Sequence, residues 1–393
     1  MQNETIALMW VNQKGHLSTF ILLSLSLALV ASAKDETTIV TDDASLWDMV
    51  DIYSDFRLRY EVDFDSVRAD GVTAREDRHR LRMRARLGLK IAPTEILTFD
   101  VRLRYGDSNS QQSPHVTLWQ NEGDYGDQSD VWIDRFMLRF APENFAVQLG
   151  RMGLPFWQAH ELYWDEDVFL DGTSLAYTAP LGDHTTMDFV AGTWLLPDGP
   201  DDHDFSERSL LAASQVKLTH EFSNIGTLTI ANSLLFVEDN SAVVNRTNDD
   251  INYAINALDL QYKTSACSIP LTIGATWIYN FNEGPSGDIG KNETEGFALY
   301  GAVGALARKG DWLLGYHYAD IGKYAVARFL AEDDWDRFGT ATQTRSSDFR
   351  GHELRIGYSL ADNLNLIVRA FHVDTITTRE DGNRLRLDLN YKF

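Results

Sequence analysis

The protein has 393 residues, with 58 Asp and Glu against 35 Lys and Arg, a formal net charge of −23 and 44% hydrophobic residues. That charge argues against nucleic acid as a partner. The slightly negative mean hydropathy argues against a bundle of membrane helices, which needs several apolar runs of about 20 residues. A transmembrane β-barrel stays open, because apolar-out, polar-in alternation averages to the hydropathy of a soluble protein.

The long apolar run near the start is Phe20 to Val30, preceded by Lys14 and His16 and followed by Ala31-Ser32-Ala33. A positive flank, a short apolar core and an A-x-A site predict a secretory signal peptide over residues 1–33, with Met9 as an alternative start. A single anchoring helix is the alternative, disfavoured because the core falls short of the about 20 residues that a span needs. Cys267 is the single cysteine, so an exported chain of this sequence makes no internal disulfide.

Residues 34–50 are polar and end in Asp42-Asp43-Ala44-Ser45-Leu46-Trp47, read as a short periplasmic segment. From about Asp51 to Phe393 the pattern has period two, the mark of strands with two unlike faces. Phe56, Leu58 and Tyr60 alternate with Arg57, Arg59 and Glu61. Arg80, Arg82, Arg84 and Arg86 alternate with Leu81, Met83, Ala85 and Leu87. Phe99, Val101, Leu103 and Tyr105 alternate with Asp100, Arg102 and Arg104. Leu385, Leu387, Leu389, Tyr391 and Phe393 alternate with Arg384, Arg386, Asp388, Asn390 and Lys392. Runs of about 9–13 residues exceed the usual soluble strand and match a bilayer crossing.

The connections sort into two kinds. Short turns are predicted near residues 92–95, 141–144, 223–226, 308–311 and 361–363, with long polar segments between them. Outer-membrane barrels have short periplasmic turns and longer external loops. The count predicts an all-β, antiparallel barrel of about 16 strands over residues 51–393, with both ends periplasmic. The terminal Phe393 on an amphipathic last strand resembles the signal read by the barrel-assembly machinery.

No catalytic motif stands out. G-x-S-x-G, Walker and G-x-G-x-x-G patterns are absent, and neither His160-Glu161 nor His352-Glu353 continues into a zinc-protease motif. The expectation is a protein that is not an enzyme and has no cofactor or metal. The notable pattern is electrostatic. An arginine facing lipid at the midplane costs about 2–4 kcal/mol. Arg57, Arg59, Arg80, Arg82, Arg84, Arg86, Arg102, Arg104, Arg135, Arg139, Arg384 and Arg386 are therefore expected to line the lumen, with Arg355 and Arg369. Closure sets the last strand beside the first, so a net positive strip is predicted, with pairing to lumen carboxylates as the alternative. The third long loop, from Gly150 through Trp164-Asp165-Glu166-Asp167, is too aromatic for a solvated loop. It is expected to fold inward and set Glu161, Asp165, Glu166 and Asp167 opposite the arginines in a constriction, where a transverse field orients dipolar solutes. Packing over the barrel mouth is the other reading. The acidic groups Asp198 to Glu207 and Glu332, Asp333, Asp334 and Asp336 read as solvated surface loops, with weak divalent-cation bridging to lipopolysaccharide as the alternative.

Phe56-Arg57-Leu58-Arg59-Tyr60-Glu61, the Arg80–Arg86 ladder, Gly150-Arg151-Met152-Gly153-Leu154-Pro155-Phe156 and Trp164-Asp165-Glu166-Asp167 together resemble the putative-porin family of proteobacterial outer membranes. The resemblance is sharpest over about residues 51–175. It implies a porin-like barrel of the outer membrane but brings no defined substrate; the arginine-lined lumen is what predicts passage of small hydrophilic, anionic or zwitterionic solutes, with outer-membrane lipid and lipopolysaccharide as expected partners. A homotrimer is one expected assembly. The arginine wall is also similar to alginate-export barrels, which conduct a polyanion. A plugged structural or adhesin barrel is the reading from a different class.

Overall fold

The computed structural model describes residues 49–106, 114–121, 130–196, 210–238, 252–335 and 346–393. The expected signal peptide, most of the 34–50 segment, the acidic run 198–207 and Asp336 lie outside the described residues. Seventeen strands follow one another in the chain. They are β1 Val50–Val67, β2 Arg78–Thr94, β3 Leu97–Gly106, β4 Val116–Gln120, β5 Asp130–Phe140, β6 Phe145–Met152, β7 Leu170–Pro180, β8 Thr185–Leu195 and β9 Leu210–Phe222. The remaining eight are β10 Gly226–Glu238, β11 Tyr253–Ala266, β12 Ile269–Asn280, β13 Glu295–Gly304, β14 Trp312–Ile321, β15 Phe349–Ala361, β16 Leu364–Thr375 and β17 Asp381–Lys392.

Each strand pairs antiparallel with its neighbour, and β17 pairs with β1 from Asp55↔Lys392 to Val67↔Asp381. The sheet is thus a closed barrel of sixteen strands. Closure removes both sheet edges, so every wall strand has hydrogen-bonding partners on both sides, which a bilayer core demands. The short β4 is the seventeenth strand. It pairs with β2 at Arg80–Met83, while β3 pairs with β2 from Ala85 onward, so β3 and β4 occupy successive stretches of one place in the wall.

Burial is inverted relative to a soluble protein. Leu87, Ile133, Phe136, Ile273, Tyr316 and Ile356 are exposed on the outer face, whereas Arg59, Glu61, Arg84, Asp259, Glu353 and Arg386 are buried on the inner one. Period-two alternation makes this arrangement, with apolar side chains toward hydrocarbon and polar ones inside. Connections at one end are short, as at Glu143, Asn224 and the pair Cys267-Ser268, each in the left-handed region that a tight turn needs. At the other end the chain makes its long excursions. Two of these matter for the interior: residues 153–169 between β6 and β7, and residues 322–335 after β14.

Candidate functional site

The register of β1 decides which charges meet. Glu61 lies opposite Arg80 on β2 and Arg386 on β17, Arg59 opposite Arg82 and Asp388, and Arg57 opposite Arg84 and Asn390. Cross-strand partners share a face and touch. Arg59 therefore holds Asp388 with two hydrogen bonds of 2.6 and 2.9 Å. Arg386 Nε donates to Glu61 at 2.5 Å, and Arg80 bonds the same carboxylate. Asp63 accepts from Arg78 at 2.7 Å and from Arg384 at 2.6 Å. On the adjoining strands Arg102 grips Asp134 through two 2.8 Å bonds, and Arg135 donates to Asp100 at 2.9 Å. Arg355 and Arg369 share Glu353 at 2.8 and 2.6 Å.

These contacts correct the net positive strip expected from the sequence. Most of the arginines are buried, and acids on neighbouring strands pair with most of them. A row of arginines sealed inside a barrel would repel itself, and buried charges persist when paired and hydrogen-bonded. Arg104 is also buried, and Arg139 shares the inner face at an exposed position beside Thr98 and Gln148.

Gly150, two residues before the end of β6, has φ +113°, and a Cβ there would lie 2.2 Å from the Phe136 carbonyl oxygen. Only glycine tolerates both demands. Residues 153–169 then fold inside the barrel. Trp157 N–H donates to Gln215 on β9 at 3.0 Å, and Tyr163 donates its hydroxyl to Asp259 on β11 at 3.0 Å. His160 meets His317 on β14, ring nitrogens 3.0 Å apart. Leu162, Tyr163, Trp164 and Val168 are buried, at about 1.5–3 kcal/mol for each large apolar side chain. That burial drives the chain inward. Asp167 is thereby delivered to the arginine ladder, 2.5 Å from Arg86 and 3.0 Å from Arg84, which also hold Asp55. Glu166 lies 3.7 Å from Arg84.

A second segment also enters, and the sequence reading missed it. Glu332 and Asp333, expected on a solvated surface loop, are buried, and Asp334 is nearly so. Asp334 sits among Arg59 at 3.7 Å, Arg369 and Arg386, and its backbone carbonyl accepts from Arg384 at 2.7 Å. Tyr324, Val326, Leu330 and Trp335 anchor this segment in the same apolar cluster as Trp164. The two segments join where Asp165 N–H donates to the Leu330 carbonyl at 2.7 Å. The missed signal was apolar content: Tyr324, Val326, Phe329 and Leu330 precede the acidic run and Trp335 interrupts it.

Cavities lie beside the segments. One of about 220 Å³ is lined by Arg57, His115, Glu161, Asp165, Glu332 and Arg369, among others. A second, about 180 Å³, is lined by Arg104, Trp132, Asp134, Arg151 and Phe169, and Asp167 borders both. Burial would raise the Asp167 carboxyl, but Arg84, Arg86 and Arg57 outweigh it and hold the group at about 2. Across the first cavity the opposite holds. Burial, then the carboxylates of Asp334 and Glu353, push Glu332 up to about 8. Glu161 and Asp165 are raised by enclosure and then by their acidic neighbours. His115 is buried with neither ring nitrogen bonded, and burial beside Arg59, Arg82, Arg57 and Arg84 keeps the ring neutral. Among the described residues no group of three His, Cys, Asp or Glu is placed to hold a metal ion.

The sequence matches the family described as "Putative porin" over residues 35–267. No curated protein matches it. Among solved structures, the barrel is similar to OprB of Pseudomonas putida at high pH, with TM-score 0.55 and 10% identity over 88% of this chain and 94% of that one. It is similar to OmpF of Salmonella typhi in complex with daunomycin, with TM-score 0.53 and 11% identity over 88% and 97% of the two chains. A trimer form of Vibrio cholerae OmpT gives TM-score 0.50 and 11% identity over 88% and 99%. At such identities the likeness is one of fold.

Proposed function

The chain belongs to the "Putative porin" family and is an outer-membrane β-barrel, and from that premise we propose that it is a passive diffusion channel for small hydrophilic solutes along an arginine-lined lumen. The observation that carries this reading is the pair of charged cavities that meet at Asp167, one bounded by the Arg57–Arg369 side and the other by Arg104 and Arg151. Their small volumes and mixed charge suit small solutes. A polyanion would need a continuous basic path, which the carboxylates of Glu161, Asp165, Asp167 and Glu332 interrupt, so an alginate-type route is disfavoured.

Strand ends joined by short turns face the periplasm in this reading, and the two inward segments descend from the cell-surface side. The outer face contacts lipid. Lipopolysaccharide contact, delivery by the assembly machinery through Phe393, and a homotrimer are parts of the same proposal. The reading points to a channel rather than an enzyme. A plugged structural barrel is the second reading, favoured by the close packing of Trp164, Tyr324, Val326 and Trp335 across the opposite side of the interior. Swelling of proteoliposomes in graded solutes tests the two. A channel admits solutes of monosaccharide or amino-acid size and excludes oligosaccharides. A plugged barrel gives no swelling with any of them.

A further inference from the structure

We infer that the cavity between Arg57 and the Glu161–Asp165–Glu332 cluster is a saturable binding site for a small zwitterion, which places its carboxylate at Arg57 and His115 and its cationic group at the three acids. The inference rests on the channel reading and names the solute class that this cavity takes.

The basic pole is set by register. Glu61, Asp63 and Asp388 each accept from arginines on neighbouring strands, but the Arg57 row offers Arg84 and the neutral amide of Asn390. Arg57 Nε donates to Asn390 at 2.6 Å, and among the described residues no carboxylate pairs with this guanidinium. Arg369 and Arg355, which also border the cavity, are held by Glu353. His115 adds a buried imidazole with both nitrogens unbonded. A buried polar group without a protein partner is costly to leave unmet, and a bound solute is one way to meet it. A neutral imidazole offers one N–H, and Arg57 offers a planar fork that suits a carboxylate.

The acidic pole has the complementary deficit. Glu161, Asp165 and Glu332 border one space, and among the described residues none makes a close salt bridge with an arginine; Glu332 lies 3.6 Å from Arg369 and 3.7 Å from His160, and Asp165 accepts from the Asp167 N–H at 2.7 Å. Enclosure and mutual repulsion keep all three protonated more readily than usual. An ammonium group among them supplies the missing counter-charge. An anion fills one pole and leaves the other unsatisfied, and a cation does the converse. One solute carrying both charges satisfies both poles at once, and about 220 Å³ holds several waters, each about 30 Å³ of liquid, or one such solute.

The test is current block of the full-length barrel in planar bilayers by glycine, acetate and methylammonium. Glycine should block saturably, at a concentration at least about tenfold below either single-charge analogue, or roughly 1.4 kcal/mol. Arg57→Gln should weaken block by glycine and acetate about tenfold and leave methylammonium unchanged. Glu332→Gln and Glu161→Gln should weaken glycine and methylammonium and spare acetate. Each variant is checked for a closed barrel by its shift on an unheated denaturing gel, and Arg57→Lys, which keeps the charge, should retain part of the glycine block. Stable conductance with equal block by all three solutes, or with no saturation, overturns the site and leaves the channel standing. If no conductance is found, titration calorimetry of the detergent-solubilised barrel with glycine decides: binding that Arg57→Gln abolishes supports the site, and absence of binding overturns it.

Discussion

Asp167→Asn removes the carboxylate that lies 2.5 Å from Arg86 and 3.0 Å from Arg84 at the junction of the two cavities. One negative charge is then lost from the cluster, leaving Asp55 and the more distant Glu166, 3.7 Å from Arg84, to face both arginines. An ion passing about 5 Å from that position changes in energy by about 0.8 kcal/mol at the permittivity of bulk water and about 3 kcal/mol at an effective value of 20. The lower figure acts with opposite sign on an anion and a cation. Screening over a Debye length of about 8 Å at 0.15 M leaves roughly half of it. The permeability ratio should therefore move toward anions by at least about fourfold. Reversal potentials in a KCl gradient read this directly. Arg84→Gln should move the ratio toward cations, because Asp55 and Asp167 then face Arg86 alone. Both shifts should shrink near 1 M salt, where the Debye length is about 3 Å. Reversal potentials that ignore both substitutions would refute the reasoning and make the ladder an internally neutral scaffold off the ion path.

The raised Glu332 carboxyl makes the packing of residues 322–335 pH-dependent, because the folded state holds a proton that an exposed Glu has lost. Its stabilisation is complete below about 4.5 and is lost as pH rises toward about 8, with Glu161 and Asp165 acting in the same sense. Conductance should therefore rise from pH 5 to pH 9, and Glu332→Gln should flatten that rise; an unchanged slope would count against it. Phe393 closes the ring through backbone bonds with Ser54, of 2.9 Å to its carbonyl and 3.3 Å from its N–H. Deleting it should lower outer-membrane yield more than it alters the remaining conductance, and equal yield would make the residue incidental. Mature protein should begin at Lys34, and N-terminal sequencing that finds residues 10–30 retained would show an anchor instead.

Much of the wall was legible because a barrel strand writes its two faces into alternate residues. The Arg80–Arg86 ladder and the Leu385–Phe393 alternation both lie on the strands the pattern predicts. Gly150, Trp157 and Trp164 marked the first inward segment, since aromatic residues in a solvated loop are out of place. The pairing of the arginines was not legible. Asp55, Glu61, Asp63, Asp100 and Asp388 sit in the same polar phase as the arginines, but which acid meets which arginine depends on register between distant strands, as for Arg59 and Asp388, 329 residues apart. The second inward segment was hidden for another reason. Its acids dominate the composition, and its docking surface includes inward apolar residues on distant strands, such as Phe349 on β15 and Phe371 on β16, whose rings each lie 5.6 Å from that of Trp335. Apolar residues at inward positions signal that something covers them. His115 carries no such signal, because its place inside follows from β4 alone.

The central claim, that this barrel conducts, is tested most directly by single-channel recording of the purified protein in a planar bilayer at 0.15 M KCl. The account predicts stable, ohmic steps of uniform size, with reversal potentials that respond to Asp167→Asn. A folded, heat-modifiable barrel that inserts and gives no steps at any pH between 5 and 9 would contradict it.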